Sequence, residues 1–367
     1  MRAPQAVPFR LLVFSSARPG EGYGSSTALL TFLEVVLAES AWQVTMVVPR
    51  AVMPAVRHER LRIIAVRTSG GRLRELLLYA LVAVWRAWSV RERPDFVVSW
   101  QPLPAALAGW LASALHRVPH IVRTSGPELA RTWSRFPAIT SALQPLTRCI
   151  LRHADAIVVK SRVERSLLPR SAARVRLIPN AVDVRFFVPR AAGERSVARL
   201  LVVCELEPCK GVMRLLEAIG EKRVRLTVAG DGSEREMLKR AAAARQIDAE
   251  FLGYVAHAAL PQLYASHDAL VLPSNVEGCS NAVLEAMAAG LPVIGMRAAL
   301  GELVEDGVHG FVADTAADLA QALDRFLALQ ERVPMQNAAR RKAAIHSPAR
   351  LLAAYAELMR ELDGGTG

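Results

Sequence analysis

Pro273-Ser274-Asn275-Val276-Glu277-Gly278-Cys279-Ser280-Asn281-Ala282-Val283-Leu284-Glu285-Ala286-Met287-Ala288-Ala289-Gly290-Leu291-Pro292-Val293-Ile294 decides how the rest of the chain is read. It has the order strand, loop, helix, turn, strand. Glu277 falls in the loop, and Glu285 falls inside the helix that Asn281 is expected to cap. Two carboxylates therefore stand near a helix N-terminus, whose free N–H groups favour an anion such as a phosphate. A carboxylate is a poor partner for phosphate and a good acceptor for sugar hydroxyls. The layout suits a ligand that carries both, a nucleotide-sugar.

Outward from this stretch, short apolar runs alternate with amphipathic ones along the whole chain. Strands are expected at 9–14, 43–48, 61–66, 95–100, 120–123, 155–159 and 176–178, and again at 200–203, 224–229, 250–252, 269–272 and 292–295. Continuous apolar runs of this length are what strands buried on both faces require. The helix from Ser26 to Glu39 places Leu29, Leu33, Val36 and Leu37 on one side. Ser233 and Glu236 have the spacing of a capping box, and a last helix is expected around Ala349 to Glu361. The alternation breaks at Ile178-Pro179-Asn180-Ala181-Val182-Asp183, a turn-rich linker. The fold class is α/β, two doubly wound Rossmann-like domains. The expected boundaries are 1–188 for the first domain, 189–345 for the second, and 346–367 for a terminal helix that packs back on the first.

The 367 residues are comfortable for two cores. The net charge of +12 is unevenly placed: residues 1–190 hold 27 basic and 11 acidic side chains, and the remainder is mildly acidic. A basic half suits nucleic acid, an anionic membrane surface or an acidic substrate. No nucleic-acid motif and no interleaving of aromatic and basic residues accompanies it, so nucleic acid is not expected as a partner. The cysteines Cys149, Cys204, Cys209 and Cys279 form no Cys-x-x-Cys pair and no zinc spacing, and reduced thiols in the cytoplasm are expected. No signal peptide is expected either, the apolar run Leu11 to Phe14 being too short. The segment Leu73 to Trp88 is apolar from Leu76 to Trp85 and flanked by arginines, yet too short to span a bilayer. It reads as a helix covering the sheet, or as an interfacial helix with Trp85 and Trp88 at headgroup depth.

The stretch from 273 to 294 resembles the donor-site signature of the retaining glycosyltransferases of family 4, whose GT-B fold has two Rossmann-like domains facing across a cleft. The likeness extends to Phe251-Leu252-Gly253-Tyr254-Val255, Leu260-Pro261-Gln262-Leu263-Tyr264, Gly230-Asp231-Gly232, Gly301-Glu302, Gly310-Phe311, Ala154-Asp155-Ala156-Ile157-Val158-Val159 and Ile178-Pro179-Asn180. It implies that Glu285 accepts hydrogen bonds from the donor ribose, and that Glu277 faces the transferred sugar beside Gly278, Cys279 and Ser280. It implies further that Lys210 contacts the donor diphosphate as a point charge. Catalytic roles thus fall to Glu277 and Lys210, and donor binding to Glu285, Gly278, Cys279, Ser280, Asn281, Gly230 and Tyr254. The loop Gly20-Glu21-Gly22-Tyr23-Gly24, through Gly22 and Gly24, suits a phosphate or close ligand approach. Ser125 stands where many members have a histidine, and His120 nearby is expected to cap or pack a strand end.

Two further departures are visible. Glu205 replaces the arginine usual five residues before Lys210, and would repel phosphates unless turned away or compensated, for example by Arg297. The loop before Glu302 lacks a Gly-Gly pair. No Asp-x-Asp occurs, so neither metal nor cofactor is expected and the nucleotide-sugar is a substrate. The resemblance implies sugar transfer with retention, by front-side displacement, to a lipid-linked or polysaccharide acceptor held by the basic half. The expected location is cytoplasmic, peripheral on the inner face of the plasma membrane. A degenerate member that binds without transferring is the alternative.

Overall fold

The computed structural model describes residues 8–15, 25–49, 57–66, 92–101, 103–124, 137–168, 174–189, 197–275 and 277–364, with Tyr79, Leu81, Val82, Ala83, Trp85, Trp88 and Leu129 between them. The chain divides into two units, one holding Met1–Glu21, Ser25–Pro179 and Pro348–Gly367, the other Gly22–Gly24 with Asn180–Ser347. The first is built on β1 (Arg10–Ser15), β2 (Gln43–Pro49), β3 (Leu61–Val66), β4 (Phe96–Trp100), β5 (His120–Arg123), β6 (Ala156–Val159) and β7 (Arg174–Leu177). These form one parallel sheet in the order β3-β2-β1-β4-β5-β6-β7. The second unit has β8 (Ala198–Val203), β9 (Val224–Ala229), β10 (Asp248–Gly253), β11 (Ala269–Leu272), β12 (Val293–Met296) and β13 (Gly310–Ala313), parallel and in the order β10-β9-β8-β11-β12-β13. Both are doubly wound, as the alternation predicts.

The apolar runs form strands because both faces are covered. Every residue of β4, β6, β11 and β12 is buried, whereas the edge strand β7 is not. β4 and β6 each begin one residue later than expected, and the same local arrangement precedes β11. Asp95, Asp155 and Asp268 stand just before β4, β6 and β11 and act as clamps. Each donates its backbone N–H to the carbonyl of the strand alongside, at Arg10, His120 and Arg199. Each carboxylate then accepts the N–H of that same residue, at 2.7, 2.8 and 2.7 Å. β13 was not expected. Its first residue approaches β12 so closely that a Cβ on Gly310 would lie 1.8 Å from the Val293 carbonyl oxygen, which only glycine permits.

Three local expectations are corrected. Asn281 is not the cap of the helix Asn281–Ala288; Ser280 holds that position without a side-chain bond. The Asn281 side chain instead accepts from Asn180 Nδ2 at 2.7 Å. Ser233 and Glu236 form no capping box, because the helix Arg235–Ala244 begins later, after Glu234. The Ser233 hydroxyl donates to Glu207 at 2.7 Å, and Glu236 pairs with Lys239. Residues 180–189 bond into the second unit rather than closing the first. Val182 N–H donates to His346, and Arg340 donates to the carbonyls of Val184 and Phe187.

The helix Pro348–Asp363 belongs to the first unit. Its Tyr355 is fully buried with its ring 4.9 Å from that of Phe32, and its hydroxyl accepts from Arg123 at 3.1 Å. Arg123 is itself buried over the Trp100 ring and also donates to Ile178 O. His120 packs inside the core rather than capping a strand. Its Nε2 lies 2.8 Å from Ser99 Oγ, and burial lowers its pKa to about 3. Gly109 makes that pocket possible, since a Cβ there would lie 2.0 Å from Ser99 Oγ.

Of Leu73 to Trp88, the described positions are helical and two-faced. Tyr79 and Ala83 are buried, with the Tyr79 oxygen 2.9 Å from the carbonyls of Ser15 and Val47. Leu81, Trp85 and Trp88 are 67%, 59% and 70% exposed. Among the described residues, no helix is long and apolar enough to cross a membrane.

Candidate active site

In the second sheet the chain moves outward from β8 through β9 to β10, and outward the other way from β11 to β13. The carboxyl ends of β8 and β11 therefore flank the point where strand order reverses, the usual place for a ligand in such sheets. Lys210 follows β8 and Glu277 follows β11. Lys210 ends the short turn Pro208–Lys210, and Gly211 next to it has φ +66°. A Cβ on Gly211 would lie 2.4 Å from the Pro273 carbonyl oxygen, so glycine lets the two loops touch. Asn275 N–H then donates to Cys209 O at 3.0 Å, and Arg214 donates to Pro273 O at 2.8 Å and Asn275 Oδ1 at 2.6 Å. Held this way, Lys210 Nζ donates to Glu277 Oε1 at 2.6 Å.

Both partners of this pair are mostly covered, with 23% and 18% of their side chains exposed. Burial opposes the Lys210 charge, but the Glu277 carboxylate, by attraction and hydrogen bond, more than offsets this and pushes its pKa up. The neighbouring thiols remain protonated at neutral pH, burial pushing Cys204 up to about 12 and raising Cys209 as well.

Beyond Glu277, Asn180 Nδ2 donates to the Cys279 carbonyl at 2.9 Å, bracing the turn Gly278-Cys279-Ser280 that opens the helix Asn281–Ala288. Glu285, one turn in, is buried and accepts from the Tyr264 hydroxyl at 2.9 Å. His257 Nε2 approaches its other oxygen at 3.3 Å. The His257 ring is stacked on Phe186, with centroids 5.5 Å apart and planes at 18°. Gly230, at the end of β9, bridges to Gly253 at the end of β10 through N–H to carbonyl at 2.8 Å. Tyr254 follows and is half exposed.

The sequence-derived residues thus fall at one end of the second sheet. Lys210 and Glu277 are in contact, with Gly278, Cys279, Ser280 and Asn281 continuing into the helix that carries Glu285. Gly230 and Tyr254 join them through the loop that ends in His257. Gly22, Gly24 and Ser125 lie outside the described residues. Arg297 does not compensate Glu205; it pairs with Asp314 at 2.6 and 3.0 Å. Among the described residues, no three His, Cys, Asp or Glu side chains are grouped to hold a metal. His257, Asn180 and the contact of Tyr264 with Glu285 were not foreseen. Nothing local marks them, because each joins loops distant in sequence.

Comparison with known proteins adds a lineage to this geometry. Residues 198–328 match the family described as Glycosyl transferases group 1, and residues 33–181 match the Glycosyl transferase 4-like domain. The chain is 30% identical over 244 residues to a glycogen synthase of Mycobacterium tuberculosis, covering 61% of this chain and 53% of that protein. It is 31% identical over 299 residues to a D-inositol 3-phosphate glycosyltransferase of Geodermatophilus obscurus, covering 69% of this chain and 64% of the relative. The chain therefore spans between half and two thirds of the length of these relatives. The solved structure of sucrose-phosphate synthase from Thermosynechococcus elongatus matches with a TM-score of 0.84 at 20% identity, over 97% of this chain and all of that one. Its fold is GT-B. Each half of the molecule matches its own part of one lineage, and the chain belongs to the group 1 glycosyl transferases of GT-B fold.

Proposed function

We propose that this protein transfers a sugar from a nucleotide-diphosphate donor to a glycan acceptor, with retention at the anomeric carbon. The observation that carries the reading is the Lys210–Glu277 pair at the switch point, in the same unit as the buried carboxylate of Glu285. Departure of a nucleoside diphosphate builds negative charge, and a fixed ammonium in a shielded site stabilises it. Glu277 holds that ammonium in place until the donor arrives. Glu285, already fixed by Tyr264 and His257, serves the ribose hydroxyls. Glu277 and the turn Gly278-Cys279-Ser280 border the transferred sugar. No covalent nucleophile is assigned, which is consistent with front-side displacement and needs neither metal nor cofactor.

The test is binding and slow hydrolysis across UDP-, GDP- and ADP-sugars, followed by the anomeric configuration of the product. One donor bound specifically, and lost in Glu285→Ala, supports the reading; no binding to any donor overturns it. The non-catalytic alternative is motivated by the sequence, in which Glu205 stands where the family usually has an arginine five residues before Lys210, and Arg297 is paired with Asp314. A large gain in donor affinity in Glu205→Arg would favour that alternative.

The acceptor is proposed to be lipid-linked, reached at the anionic cytoplasmic face of a membrane. Leu81, Trp85 and Trp88 repeat at helical spacing on the face opposite Tyr79 and Ala83, in a half of the chain with a large excess of arginine. Aromatic and leucine side chains with flanking arginines suit a headgroup layer. Flotation with anionic vesicles at low salt tests this, with Trp85→Ser plus Trp88→Ser as the comparison. No flotation of the parent protein removes the membrane as a partner.

A further inference from the structure

A cavity of about 570 Å³ opens at the carboxyl edge of the second sheet, and its lining includes neither Lys210, Glu277 nor Glu285. It is bounded by Asn275 after β11, Arg297 after β12, Asp314 and Thr315 after β13, Ala316 beside them, and Arg214 from the helix Val212–Ile219. The charges in it do not cancel. Arg297 and Asp314 form a forked pair that is neutral as a unit. Arg214 donates only to a carbonyl and an amide oxygen, both neutral, and among the described residues it has no carboxylate partner. A guanidinium carries five N–H donors, and these two bonds leave donors to spare. Its position is fixed by the same Gly211 contact that sets Lys210. The helix Ala316–Leu327 begins at the cavity wall, its Thr315–Asp318 capping box already using two of the first N–H groups.

A half-buried arginine held by two hydrogen bonds, in a cavity whose one carboxylate among the described residues, Asp314, is already paired with Arg297, is suited to an oxyanion. The volume lies within the range of small-molecule sites, on the order of 300–1,000 Å³, and exceeds what a lone phosphate would fill. We infer that this cavity binds a sugar bearing an oxyanion, a phosphate or a carboxylate, with Arg214 as the anchoring cation. The site is separate from the donor site proposed above and stands whether or not that reading holds. Asn275 lies two residues from Glu277, so a ligand here would border the transfer site without occupying it.

The experiment is calorimetric titration of the full chain, at low ionic strength, with glucose 6-phosphate, glucuronate, inorganic phosphate and glucose. Binding of at least one anionic sugar and none of glucose is expected, and the stronger of glucose 6-phosphate and glucuronate names the oxyanion. Arg214→Gln is expected to weaken that binding at least tenfold, whereas Lys210→Ala changes it by less than about threefold. If Arg214→Gln lowers the melting temperature enough to suggest misfolding, Arg297→Gln takes its place. Its side chain is exposed, and its loss leaves Asp314 to repel the anion, so weakening is again expected. No anionic sugar bound overturns the inference, as does a loss confined to Lys210→Ala, which would assign the anion to the donor site.

Discussion

Lys210 and Glu277 meet, Nζ to Oε1, at 2.6 Å from loops 67 residues apart in sequence. The contact exists because β8 and β11 are neighbours in the sheet and Gly211 lets their loops touch. An acid and a base are thereby held at the reversal of strand order, where the α/β architecture leaves a crevice.

Removing the cation tests its role in leaving-group stabilisation. Lys210→Ala is expected to lower kcat by about 100-fold, the scale of losing one preorganised electrostatic contact, while the melting temperature stays within a few degrees. Steady-state kinetics on the preferred donor would decide it. A fall in activity matched by unfolding would reassign Lys210 to structure.

Glu285 and its two partners separate binding from packing. Glu285→Gln is expected to raise the donor Kd about tenfold or more, with the fold retained, since the amide offers a weaker acceptor to ribose. Tyr264→Phe removes a buried hydrogen bond and is expected to cost about 1 kcal/mol of stability with a smaller change in Kd. Titration of the nucleotide against both variants checks the order. Equal effects would mean that Glu285 acts only as the partner of Tyr264.

Acid stability offers an independent test of the first core. His120 is fully buried and its pKa is lowered by burial to about 3, against about 6.5 in the unfolded chain. Above pH 6.5 the ring is neutral in both states and the fold loses nothing. Below it the unfolded chain takes up a proton that the folded chain refuses, so stability falls as pH drops from 6.5 towards 3. At pH 4.5 this amounts to about 2–3 kcal/mol. Urea denaturation at pH 7 and 4.5 should show a drop smaller by that amount in His120→Gln. An equal drop in both proteins would mean that the folded ring takes up protons as readily as the unfolded one.

The terminal helix is expected to be integral to the first core rather than an appendage. Tyr355→Ala removes a fully buried ring beside Phe32 and should destabilise by about 3–5 kcal/mol. Tyr355→Phe leaves Arg123 short of one acceptor and should cost about 1–2 kcal/mol. Chemical denaturation of both variants measures this, and a cost under 1 kcal/mol for Tyr355→Ala would show that the helix docks only loosely.

The alternation of apolar and amphipathic runs was enough to place twelve of the strands; those buried on both faces, such as β4, β6, β11 and β12, are written as continuous apolar runs, whereas β7 and β10 are not and their bounds were less exact. Glu277, Glu285 and Lys210 were singled out by the family resemblance of the strings around them, and the structure places all three at one end of the second sheet. What stayed hidden depended on partners far along the chain. β13 is only Gly310-Phe311-Val312-Ala313, too short to stand out until Val293 pairs with it. Ser233 and Asn281 have the spacing and type of caps, yet their side chains bond to Glu207 and Asn180, distant in sequence. The arrangement of Lys210 on Glu277, and of Tyr264 and His257 on Glu285, was decided by sheet order and by a glycine that allows two backbones to touch. Hydrogen bonds between side chains are short and directional, so their partners follow from distances in space. Separation along the chain carries almost no information about them.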